Sequence, residues 1–198
     1  MIFSACGSYG QETPLLKSVA HNYDGSINIT TSFDLAIFWK IREKKEIKHG
    51  TIILAPGDKF NVTFGTGQWV SDGKTFWQYD NKLSQVVIST VASIDRSALP
   101  SGLIAKYLSN YPLEEKSKNK NVTVFQGSAG NGNSTANGEA QKVVLTVDNK
   151  NASISQLFVI DKSGNESAYS FHATAFRAQN PSVFSFSPPK GARIIDQR

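Results

Sequence analysis

The sequence predicts a mainly β, α+β fold: a strongly curved antiparallel sheet with a few short helices on one face. Three observations predict it. From Ser32 onward the apolar residues recur with a period of two, the spacing of a strand with one buried side, because successive Cβ atoms point to opposite faces. Turn chemistry recurs at short intervals, at Pro56-Gly57-Asp58, Gly65 to Gly67, Asp72-Gly73 and Asn81-Lys82, which makes consecutive strands antiparallel neighbours. Apolar clusters at helical spacing are confined to two short stretches, so helices are few, and they must cover the sheet face whose apolar residues need burial.

The elements follow in order. Glu12 to Tyr23 carries Leu15, Leu16, Val19 and Tyr23 at helical spacing, with Pro14 suited to a first turn and Asp24-Gly25 as the stop. Phe33, Leu35, Ile37, Trp39 and Ile41 alternate with Asp34, Ala36, Phe38, Lys40 and Arg42, a long strand with one apolar side. Gly50 to Ala55 returns as its partner, and Phe60, Val62 and Phe64 alternate again. Trp69, Phe76, Trp77 and Tyr79 then form an aromatic meander that continues into Val86-Val87-Ile88. After Val91 the pattern breaks. Ser97 can cap a helix whose face holds Leu99, Leu103, Ile104, Tyr107 and Leu108, interrupted by Pro100 and Gly102. Strands resume at Asn121 to Gln126 and recur near Lys142 to Asp148, Gln156 to Asp161 and Ser167 to Phe176. A short last strand at Val183 to Ser187 ends at Pro188-Pro189. Gly127 to Gly138, rich in Gly, Asn and Ser, reads as a flexible loop.

At 198 residues one domain, 12–198, is expected, preceded by a signal-peptide remnant or disordered N-terminus at 1–11. Mean hydropathy is −0.28, and no stretch is long and apolar enough to span a membrane as a helix. The formal charge is +5 with a pI near 9.3. Basic residues are scattered except between Lys40 and Lys48, where Arg42, Lys44, Lys45 and Lys48 are offset by Glu43 and Glu46. That run reads as a solvated hairpin end rather than a docking patch, and no nucleic-acid partner is expected. The single cysteine, Cys6, excludes a disulfide framework. Small residues precede it in Phe3-Ser4-Ala5-Cys6-Gly7, as at a bacterial lipoprotein cleavage site, and cleavage near Gln11 reads equally well. An exported soluble protein is favoured over one anchored through Cys6.

Catalytic chemistry finds little support. His21, His49 and His172 are far apart in sequence and none has a second ligand at metal-binding spacing, so no metal and no cofactor are expected. No G-x-S-x-G elbow is present, and the Gly-rich stretch has neither a Walker lysine nor a G-x-G-x-x-G spacing. Asp72 beside Gly73 is what a turn requires. The Asn-x-Ser/Thr sequons at Asn28, Asn61, Asn121 and Asn165 read as accidental. What stands out is the aromatic load of 12 Phe, 3 Trp and 6 Tyr. Aromatics at alternating strand positions usually make a core, and Phe60, Phe184 and Phe186 are read that way. The remaining load sits on a sheet with few helices to cover it, and a sheet too curved to collapse on itself can hold a cavity.

Two segments carry a resemblance. Val70-Ser-Asp-Gly-Lys-Thr-Phe-Trp-Gln-Tyr-Asp80 lies in mid-chain and Phe184-Ser-Phe-Ser-Pro-Pro-Lys-Gly191 near the end. Together they resemble the periplasmic outer-membrane lipoprotein carrier family, LolA, whose members carry an S-D-G-K-x-x-W-x-Y-x hairpin and an F-x-F-x-P-P-x-G segment. A terminal Asp-Gln-Arg, here Asp196 to Arg198, also occurs in some members. The match in order and spacing runs from about Leu15 to the end, and joint occurrence carries it. The resemblance sharpens the fold to an unclosed β-barrel with the helices as a lid.

The resemblance also implies a non-enzymatic periplasmic chaperone, a monomer. It would shield the acyl chains of lipoproteins taken from an inner-membrane ABC-type release complex and pass them to an outer-membrane acceptor. Each methylene is worth about 0.8 kcal/mol on burial, so bare acyl chains would return to a bilayer or aggregate. The expected acyl-binding residues are Phe33, Leu35, Ile37 and Trp39 on the long strand, Ile52 and Leu54 on its partner, and the pair Trp69 and Trp77. Leu15, Leu16, Val19, Leu103, Ile104 and Tyr107 are the lid candidates. Which parity of each strand faces inward stays open, because a one-residue slip exchanges the whole set. Family members often carry an arginine before the proline of an Arg-Pro turn that latches the lid. Here Pro56 stands at that place, so the latch is absent or supplied by another residue such as Arg96. The alternative reading is a receptor or stationary lipid-binding lipoprotein of the same fold, tethered through Cys6.

Overall fold

In a computed structural model, residues 13–23, 27–94, 106–108, 110–128 and 140–198 of the chain are described. Helix α1 spans Pro14–Asn22. Twelve strands follow: β1 Ile29–Trp39, β2 Lys44–Ala55, β3 Lys59–Phe64, β4 Gly67–Asp72, β5 Thr75–Asp80, β6 Gln85–Thr90, β7 Glu114–Lys118, β8 Val122–Ser128, β9 Ala140–Asp148, β10 Ser153–Asp161, β11 Glu166–Ala175 and β12 Arg193–Asp196. They form one sheet in the order β12-β6-β5-β4-β3-β2-β1-β11-β10-β9-β8-β7. The order is open, with β12 and β7 as its two edges. Phe60 and Val62 of β3 nevertheless join one buried cluster with Val143, Leu145 and Val147 of β9. The cluster runs through residues of the strands between them and of α1, so the buried side chains lie on one curved face that α1 helps to cover. The expected unclosed barrel is therefore what the chain forms.

Helix α1 begins where the sequence places it. Thr13 Oγ1 accepts the Leu16 N–H at 3.3 Å, which satisfies one orphan donor of the first turn, and Pro14 occupies the first helical position. Leu16, Val19 and Tyr23 are buried. The Tyr23 hydroxyl accepts the Ile154 N–H at 3.1 Å, and Asn22 donates to the carbonyls of Asn151 and Ala152, both at 3.1 Å. The helix is thus pinned over β9 and β10. Burial pushes the Tyr23 hydroxyl pKa up to about 12, partly offset by the Ile154 bond. Beneath the helix, Phe125, Val143, Leu145, Val147, Ile154 and Leu157 make a dry half of the inner face. Each such side chain contributes about 1.5–3 kcal/mol by burial.

The β4–β5 turn forms as its sequence requires. Gly73 has φ +93°, a conformation that suits glycine. Asp72 Oδ1 accepts the N–H groups of Lys74 and Thr75 at 2.8 and 2.7 Å. Asp72 is therefore occupied in closing the turn.

Some elements differ from expectation. β2 begins at Lys44 rather than Gly50, so the basic run is itself strand on its return side. β7, Glu-Glu-Lys-Ser-Lys, is an exposed edge strand with no apolar alternation to announce it; charge of this kind guards a sheet edge. Val183 to Ser187 is not a strand. A 3₁₀ turn at Pro181–Phe184 opens it, and Phe184 is buried. The last strand is instead β12, which pairs in parallel with β6 from Arg193–Gln85 to Asp196–Ile88. The Asp196 carboxyl is held down to about 2, first by the Arg198 side chain. Cys6, Arg96, Leu103 and Ile104 lie outside the described residues, as does most of the expected loop at 127–138. Among the described residues no helix is long and apolar enough to cross a membrane.

Candidate functional site

The strand registers decide which side chains share the inner face. Phe33 lies opposite Gly50, Leu35 opposite Lys48, Ile37 opposite Glu46 and Trp39 opposite Lys44 on β2. On its other side β1 places Leu35 opposite Tyr169 and Phe33 opposite Phe171. Ile52 lies opposite Val62, and Val62 opposite Trp69. Phe33, Leu54, Phe60 and Val62 belong to the buried cluster, so this parity faces inward.

Along this face burial falls off in one direction. Phe33 and Leu54 are buried, as are Leu16 and Val19 on α1. Leu35, Ile52, Phe64, Trp69, Tyr169 and Phe171 are half-buried and pack against the core. Leu15 and Tyr107 are half-buried beside the core as well. Ile37 and Trp39 are half-buried nearer the β1–β2 turn. The aromatic members contact one another in order. Phe64 and Trp69 meet edge to face at 4.9 Å, Trp69 and Phe76 at 6.1 Å, and Tyr169 stacks with Phe171 at 5.9 Å. The Tyr169 hydroxyl pKa is raised by burial. The Trp39 indole donates to Glu46 at 3.3 Å. That bond, followed by the charge of Lys48, holds the Glu46 carboxyl below its ordinary range.

A groove of about 520 Å³ opens at this end, with Phe64, Trp69, Val87 and Leu83 as its apolar members and Glu46, Lys48 and Lys82 among its polar ones. That size lies within the range of small-molecule sites, about 300–1,000 Å³. The arrangement is a half-buried apolar surface with charges at its rim. Such a surface can make non-directional contacts with an apolar group.

Trp77 lies elsewhere. It pairs with Val70 and Ile88, one residue out of phase with Trp69, and so occupies the outer face. There its ring lies 6.4 Å from Phe186 and Tyr79 lies 6.0 Å from the same ring. The segment after β11 is fastened over this face, Asn61 donating to the Val183 carbonyl at 2.7 Å. The structure therefore does not bring Trp69 and Trp77 together. Pro56 is exposed in the β2–β3 turn. Phe64, Tyr169 and Phe171 were not among the expected binding residues; the alternation Tyr169-x-Phe171 is the signal that could have found the last two.

Among the described residues the outer face holds a polar cluster around Asp34. Pairing sets Asp34 beside His49 on β2 and near His172 on β11. The Asp34 carboxylate bonds His49 Nδ1, and His172 Nε2 at 2.9 Å. Two histidines distant in sequence thus meet across one aspartate, although among the described residues no group of three such side chains is arranged to hold a metal. Hydrogen bonds from His49 and then His172 hold the Asp34 pKa below its ordinary value. A depressed carboxylate contributes stability above its unfolded pKa, about 3.9, and loses it as pH falls through the folded value. Asp34→Asn is therefore expected to lower the melting temperature at pH 7, with the gap to the parent closing below about pH 4. A gap that stays constant from pH 7 to pH 3 in thermal melts would show that the cluster contributes nothing through ionisation.

Comparison with known proteins adds the rest. The family model described as outer membrane lipoprotein carrier protein LolA matches residues 29–187. An outer-membrane lipoprotein carrier protein of Wigglesworthia glossinidia brevipalpis is 30% identical over 128 residues, 65% of this chain and 59% of that protein. The protein of the same name from Serratia proteamaculans (strain 568) is 27% identical over 133 residues, 65% of this chain and 60% of its own length. The matched segment thus spans about three-fifths of these relatives. A solved structure of an uncharacterized conserved protein from Thermus thermophilus shares the fold, with a TM-score of 0.60 at 15% identity over 92% of this chain and 97% of that one.

Proposed function

Because this chain belongs to the LolA family of outer-membrane lipoprotein carrier proteins, we propose that it shields the acyl chains of lipoproteins against the inner face of its sheet. On this reading it is a periplasmic carrier, not an enzyme. It takes its cargo from an inner-membrane ABC-type complex and yields it to an outer-membrane acceptor.

One observation carries the reading: the half-buried apolar residues Leu35, Ile52, Phe64, Trp69, Tyr169 and Phe171 on one face. A carrier must hold an acyl chain and still let it go. Burial of a chain gains about 0.8 kcal/mol per methylene, enough to compete with water, while the absence of directional bonds leaves the chain free to slide out. Ile37 and Trp39 extend the same face toward the open end, and Phe33, Leu54, Leu16 and Val19 form its floor and back wall.

Lipid mass spectrometry on the protein purified from its native compartment tests the reading. Acyl-bearing lipoprotein fragments or lipids are expected to co-purify and to be lost on washing with mild detergent. Protein that carries no acyl species, and that takes up no fluorescent fatty acid in titration, would overturn it.

A further inference from the structure

We propose that the rim formed by the β1–β2 and β5–β6 turns is a docking surface for an anionic lipid bilayer, which holds the mouth of the groove at the membrane where cargo is handed over. The inference rests on the carrier reading and goes beyond it to the surface that the carrier meets.

Both turns lie at the same end of the sheet, because β1 and β5 run in the same direction in an antiparallel meander. Each presents one apolar side chain to solvent. Ile41 is 87% exposed and Leu83 69% exposed. A large exposed aliphatic residue at a turn tip has no packing role, and apolar exposure rimmed by charge fits an interaction surface. β2 also outruns its neighbour. β3 pairs with it only as far as Gly50–Phe64, so Lys44 to His49 continue beyond β3, about 20 Å at the usual rise per residue, while β1 stays paired with β11 as far as Phe38–Glu166.

The charge is complementary to anionic headgroups. Lys40, Arg42, Lys44, Lys45 and Lys48 outnumber Glu43 and Glu46 in the hairpin, and Glu166 of β11 lies opposite Phe38 across β1. Glu46 is engaged by Trp39 and by Lys48 at 3.4 Å. Lys82 adds a cation beside Leu83, and Asp80 is occupied: its Oδ1 accepts the N–H groups of Lys82 and Leu83 at 2.8 and 3.2 Å. That bonding fixes the turn that presents Leu83. Apolar tips flanked by long cations fit a bilayer interface, where the tip enters the acyl boundary and the cations reach the phosphates. The same lysines make addition of a partner strand to the free part of β2 unfavourable. The groove opens at this rim, since Glu46, Lys48, Lys82 and Leu83 all line it. Docking through this rim would therefore bring the mouth of the groove to the membrane surface.

Sedimentation with vesicles tests this. The parent protein is expected to pellet with vesicles of phosphatidylethanolamine and phosphatidylglycerol, to stay in solution with phosphatidylcholine alone, and to be released by salt. Arg42→Ala/Lys45→Ala should weaken binding to the anionic vesicles by about fivefold for each charge removed, the equivalent of about 1 kcal/mol. Ile41→Asp should weaken it at least tenfold, roughly, by placing a carboxylate among the phosphates. None of these residues lines the groove, so fatty-acid probe binding should be unchanged in both variants. A parent protein that binds the probe but ignores anionic vesicles, or variants that pellet like the parent, would overturn the docking surface and leave the carrier reading standing. Vesicle binding without probe binding would do the reverse. Retention on immobilised polyglutamate through Arg42 and Lys45, without vesicle binding, would assign the rim to an acidic protein and also overturn the bilayer.

Discussion

Leu35→Glu is expected to lower the affinity for a fluorescent fatty acid at least about a hundredfold, the equivalent of about 2.8 kcal/mol, while the fold survives. Leu35 sits on the inner face directly opposite Lys48 and is half-buried. A carboxylate there keeps contact with water and gains a cation across the strands, so it should cost the empty protein about 1–2 kcal/mol and only a few degrees in melting temperature. An acyl chain laid on the same surface strips that water away and leaves the charge against hydrocarbon, which is strongly unfavourable. Two controls bracket the result. Val143→Glu, at a fully buried position of the dry half, should unfold the protein. Phe38→Glu, on the outer face of the same strand, should leave probe binding intact. Trp39→Glu is a poorer test, because it removes the indole bond to Glu46 and sets two carboxylates together. If Leu35→Glu melts like Val143→Glu, Leu35 belongs to a closed core and the acyl-binding assignment fails there.

Gly50→Ala is expected to destabilise the protein by about 3 kcal/mol, at the upper end for overpacking. The melting temperature should then fall by roughly 6–12 °C in a chain of this size. Gly50 needs no unusual backbone; what it supplies is space. A Cβ there would overlap the Thr63 carbonyl oxygen and would meet two atoms of the Phe33 ring at 2.7 Å. The oxygen belongs to the neighbouring strand, so β3 would have to move away, and the ring that covers the glycine would have to leave the core. Thr51→Ala, one residue along, removes only an exposed hydroxyl pair at 2.7 Å and should cost about 1 kcal/mol or less. A Gly50→Ala melt within a degree or two of the parent would mean that β2 and β3 are not held as tightly as their registers imply.

Elements with one polar side were legible in the sequence, and those without were not. β1 alternates cleanly because only its inner face is covered, and Pro14 announced the start of α1 because the fixed proline φ acts locally. The aromatic hairpin defeated parity. Val70 and Trp77 are covered on the outside by the segment around Phe184 and Phe186, while Trp69 and Phe76 are covered on the inside. With both faces apolar, period two names the strand but not its inward side. β7 was missed because its stability is in main-chain pairing with β8, which no side-chain pattern reports. The Asp34 cluster was missed for a related reason: His49 and His172 meet only through registers on either side of β1, and those depend on pairing distant in sequence. The basic run at Lys40 to Lys48 reads as ordinary solvation from the sequence, because only strand pairing places Ile41 and Leu83 at the same end of the sheet.

Eleven of the twelve described strands form two meanders, β1 to β6 and β7 to β11, whose strands each pair with a neighbour in sequence, and β12 adds to the edge at β6. The meanders are joined along one line, β1 against β11, where Thr30 lies opposite Ala175. Hairpins form fast because little chain has to be closed, whereas a seam of this kind waits on a long closure and slows folding. Each meander can thus assemble while the other is still unmade, but Leu35 has no Tyr169 beside it until the two are zipped. If the chain is the carrier proposed above, the timing of that step would decide when lipid can be taken up. A chain still being made would have no finished inner surface, and the capacity to bind would follow the closing of the seam.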